Sequence, residues 1–291
     1  MREIQPVDAI PAWERSWFYC APGGRITLFY LVAIHVMSLA GLVLFAVPAV
    51  EIILAAIALA FLGALGTTVA YHRSLTHRGV KLNPVAEQIL IFFSIFNGGG
   101  TPRSWVSTHR VHHATADTPA DVSSPHHGGF WWAHLRWIWQ TEQVSYDRYC
   151  PELNKAKYIF WDRVHVPVLL LTSFFGLYLG WGAWVWLGPL RMVIALHGQF
   201  AINSICHLGD SKDMTSRARG SSINIWWLTP FMLGIGENWH ANHHEDQMNP
   251  RLGLTWKQVD FGWWTIRLLQ TFGLAKVMTR QRPLLRRTNN I

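Results

Sequence analysis

Eight histidines stand in three spaced sets: His72 and His77 as H-x4-H, His109, His112 and His113 as H-x2-H-H, and His240, His243 and His244 as a second H-x2-H-H. On a helix, residues three and four apart share a face, so each H-x2-H-H set can turn two or three imidazoles to one point. Five residues is about 140° of helical turn, so His72 and His77 converge only where their helix ends and unwinds. His207 is a ninth candidate, with Asn203 one turn before it. Nine nitrogens exceed what one ion takes. A structural zinc uses four ligands and a catalytic zinc three, whereas nine suit two metals with a position left open for O2 or water. Neutral imidazole serves Fe, Zn, Cu and Ni alike, so ligand type leaves the metal open.

Two divalent ions ringed by neutral imidazoles would carry about four uncompensated positive charges, so carboxylates are expected behind the ring N–H groups. Asp117, Asp121, Asp210, Glu237, Glu245 and Asp246 lie near the sets in sequence. Glu237, three residues before His240, is the favoured partner, with Asp117 and Asp121 beside it. His35, His126, His127, His134, His165 and His197 lack the spacing and read as structural. Gly234-Ile235-Gly236 is no dinucleotide loop, because the third glycine and the preceding strand are missing.

These residues need elements that bring them together. Half of the 291 residues are apolar, 14% are charged and 17 are tryptophan, which suits a membrane protein. Residues 26–47 carry no formal charge. As a helix they extend roughly 33 Å, enough for a bilayer core of roughly 30 Å. After Pro48 and Glu51, residues 52–70 give a second span, 164–187 a third that stops at Gly188 and Pro189, and 190–207 a fourth carrying Arg191, His197, Gln199, Asn203 and His207. Four spans leave an N-terminal arm (1–25) and a cap (71–163 and 208–291) on one side. Every lysine and arginine except Arg191, beside the second outer loop, falls in that set. The formal charge of +8 is thus topological and lipid-facing, not a nucleic-acid patch. Trp13, Trp17, Phe18 and Tyr19 are expected at the headgroup level, and 86–96 and 223–235 as interfacial helices. Cys20, Cys150 and Cys206 are isolated, which offers no disulfide framework and fits a reducing compartment. The start does not read as a cleaved signal peptide, and with no repeat or separate soluble stretch, residues 1–291 read as one unit.

With these residues in place, the chain resembles the membrane fatty-acid desaturases of the stearoyl-CoA and bacterial acyl-lipid delta-9 group, from about Thr68 to Pro250. The resemblance is carried by Tyr71-His72-Arg73 through His77-Arg78, by Trp105 to His113 with Asp117 and Asp121, by Gly129 to His134, by Asn203 to His207, and by Gly236-Glu237 through His244. It implies an all-α, mushroom-like fold: a stem of four transmembrane helices under a cytosolic helical cap, with a di-iron centre above a kinked acyl tunnel. The nine histidines would be iron ligands, with zinc a possible occupant in overproduced protein. Asn203 would hold one iron through a water, and Trp105 would line the bend of the tunnel. A bacterial inner membrane, with both termini and the active site cytosolic, is the location it implies.

Removing hydrogen from an unactivated CH2 lies beyond the acids, bases and nucleophiles of the side chains. The resemblance implies O2-dependent formation of a cis double bond, delta-9 by analogy, in a saturated chain bound to CoA, carrier protein or lipid. No flavin, nicotinamide, haem or iron–sulfur motif is present, so two electrons per turnover are expected from a partner such as a ferredoxin or a cytochrome b5-type protein with its reductase. Ser107 and Thr108 stand where acyl-CoA enzymes of the family have charged residues, which favours a lipid or carrier-protein substrate, although Arg110, Arg148, Lys155 and Lys157 could supply charge. Three rival readings are a lipid hydroxylase or acetylenase, separable by product; a zinc hydrolase, for which nine ligands are too many; and a metal transporter, which would want polar residues on both membrane faces.

Overall fold

The computed structural model describes residues 10–209 and 220–278. Helix α1 (Gly24–Leu44) is followed by α2 (Val50–Leu65), which widens without a break into a π-type helix, Gly66–Thr76. Then come β1 (Val80–Leu82), α3 (Pro84–Phe96), α4 (Pro102–Thr115) and α5 (Pro125–Trp131), the last leading through a π-type segment, Trp132–Arg136, into α6 (Trp137–Gln140). Next are α7 (Tyr146–Tyr149), α8 (Ala156–Ser173), α9 (Trp181–Val185) and α10 (Arg191–Ile205), the last two joined by a π-type turn, Trp186–Leu190. The order closes with α11 (His240–Glu245), α12 (Phe261–Thr271) and β2 (Ala275–Val277). β2 pairs antiparallel with β1, Val80 opposite Val277. That small clasp departs from an all-helical fold and ties the stretch after His77 to the far end of the described chain.

Among the described residues, three helices are long and apolar enough to cross a bilayer: Gly24–Leu44, Val50–Thr76 and Trp181–Ile205. Ile26, Phe29, Val36, Leu39 and Val43 stand exposed along α1, a surface suited to lipid. The expected third and fourth spans are displaced. The Gly-Pro pair read as their boundary lies inside the third long helix, where the π-type turn absorbs Gly188 (φ −100°, ψ −107°) and the N–H that Pro189 lacks. The chain turns instead around 174–180, where Gly176 and Gly180 take φ of 86° and 106°. Phe45 stacks on Trp181 at 5.4 Å, so this turn and the one between α1 and α2 lie side by side. Helix α8 has 18 residues, roughly 27 Å, with Lys157, Asp162 and Arg163 in its first half.

Arg191 is not beside an outer loop but buried within this last helix, donating to Leu187 O at 2.9 Å, Phe96 O at 3.1 Å, and the side chains of Asn97 and Thr172. Two of those partners end α3, whose last carbonyl groups need donors away from water. Helix α3 packs along α2, with the Thr67 and Ser94 hydroxyls 2.8 Å apart and Asn97 Nδ2 donating to Ala60 O at 3.4 Å. The helix expected at 223–235 is reduced to a 3-10 turn, Trp226–Leu228, with Pro230 just beyond it. In the arm, Trp17 and Phe18 are exposed while Trp13 packs edge-on against Trp132 at 6.2 Å. Val69, Ile91, Ile95 and Val106 are fully buried where α2, α3 and α4 meet, each stabilising the fold by about 1.5–3 kcal/mol.

Candidate metal centre

The π-type end of α2 brings its two histidines together. In such a helix each N–H reaches the carbonyl five residues back, and His77 N donates to His72 O at 3.1 Å. Residues five apart then overlie one another, and the two ring centroids are 4.9 Å apart. The helix widens where the spacing argument expects it to unwind.

The two H-x2-H-H sets each divide. On α4, His109 and His113 face one point together with His72, His77 and His243, while His112 turns to a second point with His207, His240 and His244. On α11 it is His240 and His244 that stay together and His243 that crosses. Positions i+3 and i+4 lie about 100° apart around an α-helix, so a set seated between two points feeds both. Each set therefore gives two rings to one point and one to the other, not all three to a single locus. Within each group the facing nitrogens all lie within 4.8 Å of one another.

The closest ring contacts are made by Nε2 at both ends: His72 to His243 at 3.0 Å, His243 to His113 at 2.9 Å, His113 to His109 at 3.0 Å, His207 to His240 at 2.9 Å and His240 to His244 at 3.1 Å. Hydrogen bonds do not account for the set. His112 Nδ1–H donates to Asp121 at 2.9 Å and His72 Nδ1 faces Glu237 Oε2 at 2.8 Å, which leaves the lone pairs of both rings on their inner nitrogens. His77 Nε2 and His112 Nε2 are buried without any hydrogen-bond partner. Lone pairs turned on each other call for a cation between them. Two nitrogens bound at about 2.0–2.1 Å to one ion sit roughly 3.0–3.4 Å apart, so the residues fit one metal in each group.

Electrostatics points the same way. Burial holds His77, His109, His113, His240, His243 and His244 well below the usual imidazole value, and neighbouring rings add to it. Such rings are neutral and have lone pairs to give. At His112 burial is outweighed by the charges of Asp121 and Asp117, and the value rises. Burial likewise opposes ionisation of Asp121 and Glu237, but His112 holds the first carboxyl low and His72 with Arg73 the second. Asp121 also accepts Asp117 N–H at 3.2 Å and Ser123 N–H at 3.1 Å. Asp117 Oδ1 lies 3.5 Å from His207 Nδ1, and its Oδ2 accepts Ser221 N–H at 2.7 Å.

Asn203 lies on α10, partly buried, one turn before His207. Trp105 stacks on His109 with centroids 4.6 Å apart. Glu245 is exposed, and Asp210 lies outside the described residues. Ser107 is 0% exposed and donates to Ser104 O at 3.1 Å, so it faces no headgroup. Arg110 pairs with Glu152 at 2.7 Å and Lys157 with Glu87 at 2.6 Å. The other histidines stay outside both groups. His35 Nε2 meets His197 Nε2 at 3.0 Å, His197 Nδ1 meets His134 Nε2 at 2.9 Å, and His134 Nδ1 meets Ser204 Oγ at 2.8 Å, a line in which no point gathers three nitrogens. Thr68, which donates to Glu237, and Arg73 and Asp260 behind it went unread in the sequence. For Arg73 the available signal is a cation at the end of an otherwise apolar helix.

Residues 48–267 match the family model described as fatty acid desaturase. Delta-9 acyl-lipid desaturase 1 of Arabidopsis thaliana is 33% identical over 269 residues, covering 90% of this chain and 85% of its own. Delta-9 acyl-lipid desaturase 2 of the same plant is 36% identical over 220 residues, 74% of this chain and 70% of its own. An acyl-CoA 5-desaturase of Anemone leveillei is 32% identical over 277 residues, 90% of this chain and 81% of its own.

Proposed function

The chain belongs to the fatty acid desaturase family, an oxidoreductase that acts on fatty-acyl chains at a membrane, and on that premise we propose that it is an O2-dependent di-iron desaturase making a cis double bond, at the delta-9 position. The observation that carries the reading is the sorting of nine histidines, without remainder, into convergent groups of five and four. His72, His77, His109, His113 and His243 would hold one iron, and His112, His207, His240 and His244 the other, with Asn203 reaching the second through a water. Bound iron supplies the O2 chemistry and hydrogen removal that no side chain can. Asp121 takes the outer N–H of His112, while Glu237 and Asp117 set a carboxylate beside the outer nitrogens of His72 and His207, so that all three rings turn Nε2 inward. Trp105, fixed against His109, shapes the wall that presents the acyl chain.

Four crossings, the three long helices and α8, put both termini and the histidines on the cytosolic side, a reading supported by the adjacent outer turns and the distribution of basic residues. Electrons come from an acidic one-electron carrier, a ferredoxin or a cytochrome b5-type protein. An open cleft of about 390 Å³ beside His77 and His113 gives that carrier a short approach. The acyl carrier is a membrane lipid or carrier protein. Both acyl-lipid and acyl-CoA desaturases stand among the relatives, so this last point rests on the chain itself. Of the four cations that could meet CoA phosphates, Arg110 and Lys157 are engaged by acids, which leaves the exposed Arg148 and Lys155, while the buried Ser107 no longer bears on the question. The test is the fatty-acid profile of a host expressing the chain against one expressing His243→Ala. New cis-monoenes with the first alone are expected. An unchanged profile, or hydroxylated or acetylenic products, refutes the reading.

A further inference from the structure

Behind Glu237 lies a buried cation that no ring contacts. The Arg73 side chain is 2% exposed, and its guanidinium has four partners. It donates to Pro250 O and Ile235 O at 2.8 Å each, pairs with Asp260 at 2.9 Å, and approaches Glu237 Oε1 at 3.7 Å. The pocket is shaped for it. A Cβ on Gly262 would stand 2.7 Å from Arg73 Nη2, and one on Gly236 would stand 3.1 Å from the same nitrogen and 2.5 Å from Asp260 Oδ1. Asp260, also 2% exposed, accepts Leu252 N–H at 2.8 Å and Trp263 N–H at 2.8 Å, which fixes it in place.

We infer that Arg73 is a positioning residue that sets the charge felt by the five-histidine group, by dividing one guanidinium between Asp260 and Glu237. This rests on the reading of that group as an iron site. His72 Nδ1 faces Glu237 Oε2 at 2.8 Å, and the more negative that carboxylate is, the more electron density the ring passes to its inner nitrogen. Arg73 tempers the carboxylate, and Asp260 in turn tempers Arg73. At these separations, out of water, such charges act with little screening. Arginine suits the post because its planar fork serves two carbonyls and two acids at once, whereas a lysine ammonium would hold the charge without the fork.

Opposite substitutions along this line give opposite shifts. In Arg73→Gln, Glu237 stands uncompensated and the midpoint potential of the iron-loaded protein falls. In Asp260→Asn, the guanidinium charge goes to Glu237 alone and the potential rises. Arg73→Lys lies between Arg73→Gln and wild type. Loosening of the site by itself would not order the variants in this way. The experiment is a spectroscopically followed redox titration of the full-length protein in detergent, with iron content measured on each sample. A wild type that takes up no iron overturns the metal-centre reading of the previous section and this inference with it. Wild type holding two irons, with variant potentials unchanged or moving in one direction, overturns this inference alone. If Arg73→Gln does not fold, Asp260→Asn decides, and an unchanged or lowered potential there refutes the assignment.

Discussion

Asp121 offers the sharpest test of how the four-histidine group is held, because both of its oxygens are occupied by N–H donors. Oδ2 accepts His112 Nδ1–H at 2.9 Å and Asp117 N–H at 3.2 Å, and Oδ1 accepts Ser123 N–H at 3.1 Å. Asp121→Ala leaves all three donors facing a void, at about 1–3 kcal/mol for each that stays unsatisfied. It also frees the His112 ring, which no other side chain holds at Nδ1. Loss of such a partner weakens metal binding by about 10–100-fold, or roughly 1.4–2.7 kcal/mol. Asp121→Asn is subtler. Whichever way the amide is turned, its NH2 opposes an N–H, so the better orientation abandons Ser123 and keeps a neutral, weaker bond to His112. Affinity should therefore fall in the order wild type, Asn, Ala. Chelator competition on purified, metal-loaded protein measures it, with thermal melting recorded separately. An Asp121→Ala protein that melts lower yet gives up metal no faster than wild type would show that the Asp121–His112 contact is structural only.

His112→Ala and His243→Ala are expected to lose one metal each from different groups, together with activity; full metal content in both, by elemental analysis, would remove the assignment. Because iron lies below zinc in affinity for nitrogen sites, an overproduced sample can fill with zinc and be inactive, so activity should return after reloading with iron. Trp105→Ala should keep both metals and shift double-bond position or chain-length preference, read by mass spectrometry of the products; unchanged regioselectivity and rate would reduce Trp105 to a packing residue on His109. With its reductant, the reconstituted protein should prefer phospholipid or acyl-carrier-protein substrates over matched acyl-CoA, and a clear preference for acyl-CoA would overturn the carrier assignment.

The gathering of the nine histidines was legible because helical geometry fixes which positions lie near one another, and three such sets in one chain leave few other uses. Their partition was not. Whether His112 and His113 point together or apart depends on how α4 is rotated against α2 and α11, and spacing carries no rotation. The H-x4-H pair misled in a definite way. Five residues miss overlap in an α-helix and achieve it in a π-helix, and the choice is made by packing of Gly66–Thr76 against α3 and α4. Glu237, Asp117 and Asp121 could be chosen by proximity in sequence because each lies on or beside a segment that carries one of the clustered histidines.

The misplaced third span and the missed Arg73 share a cause. Hydropathy reports that residues 164–187 are apolar, but the turn around 174–180 is as apolar as the helices it joins. What marks the turn is backbone conformation at Gly176 and Gly180, whereas the conspicuous Gly-Pro pair sits in a helix that neighbouring groups repair. Arg73 likewise reads as one more basic residue on the inner side until Asp260, 187 residues away, and Glu237 come into contact with it. A charge whose partners are all distant has no local pattern. Its meaning lies in the sign of what surrounds it, which is why substitutions of opposite sign at Arg73 and Asp260, and not further reading of the sequence, decide what it does.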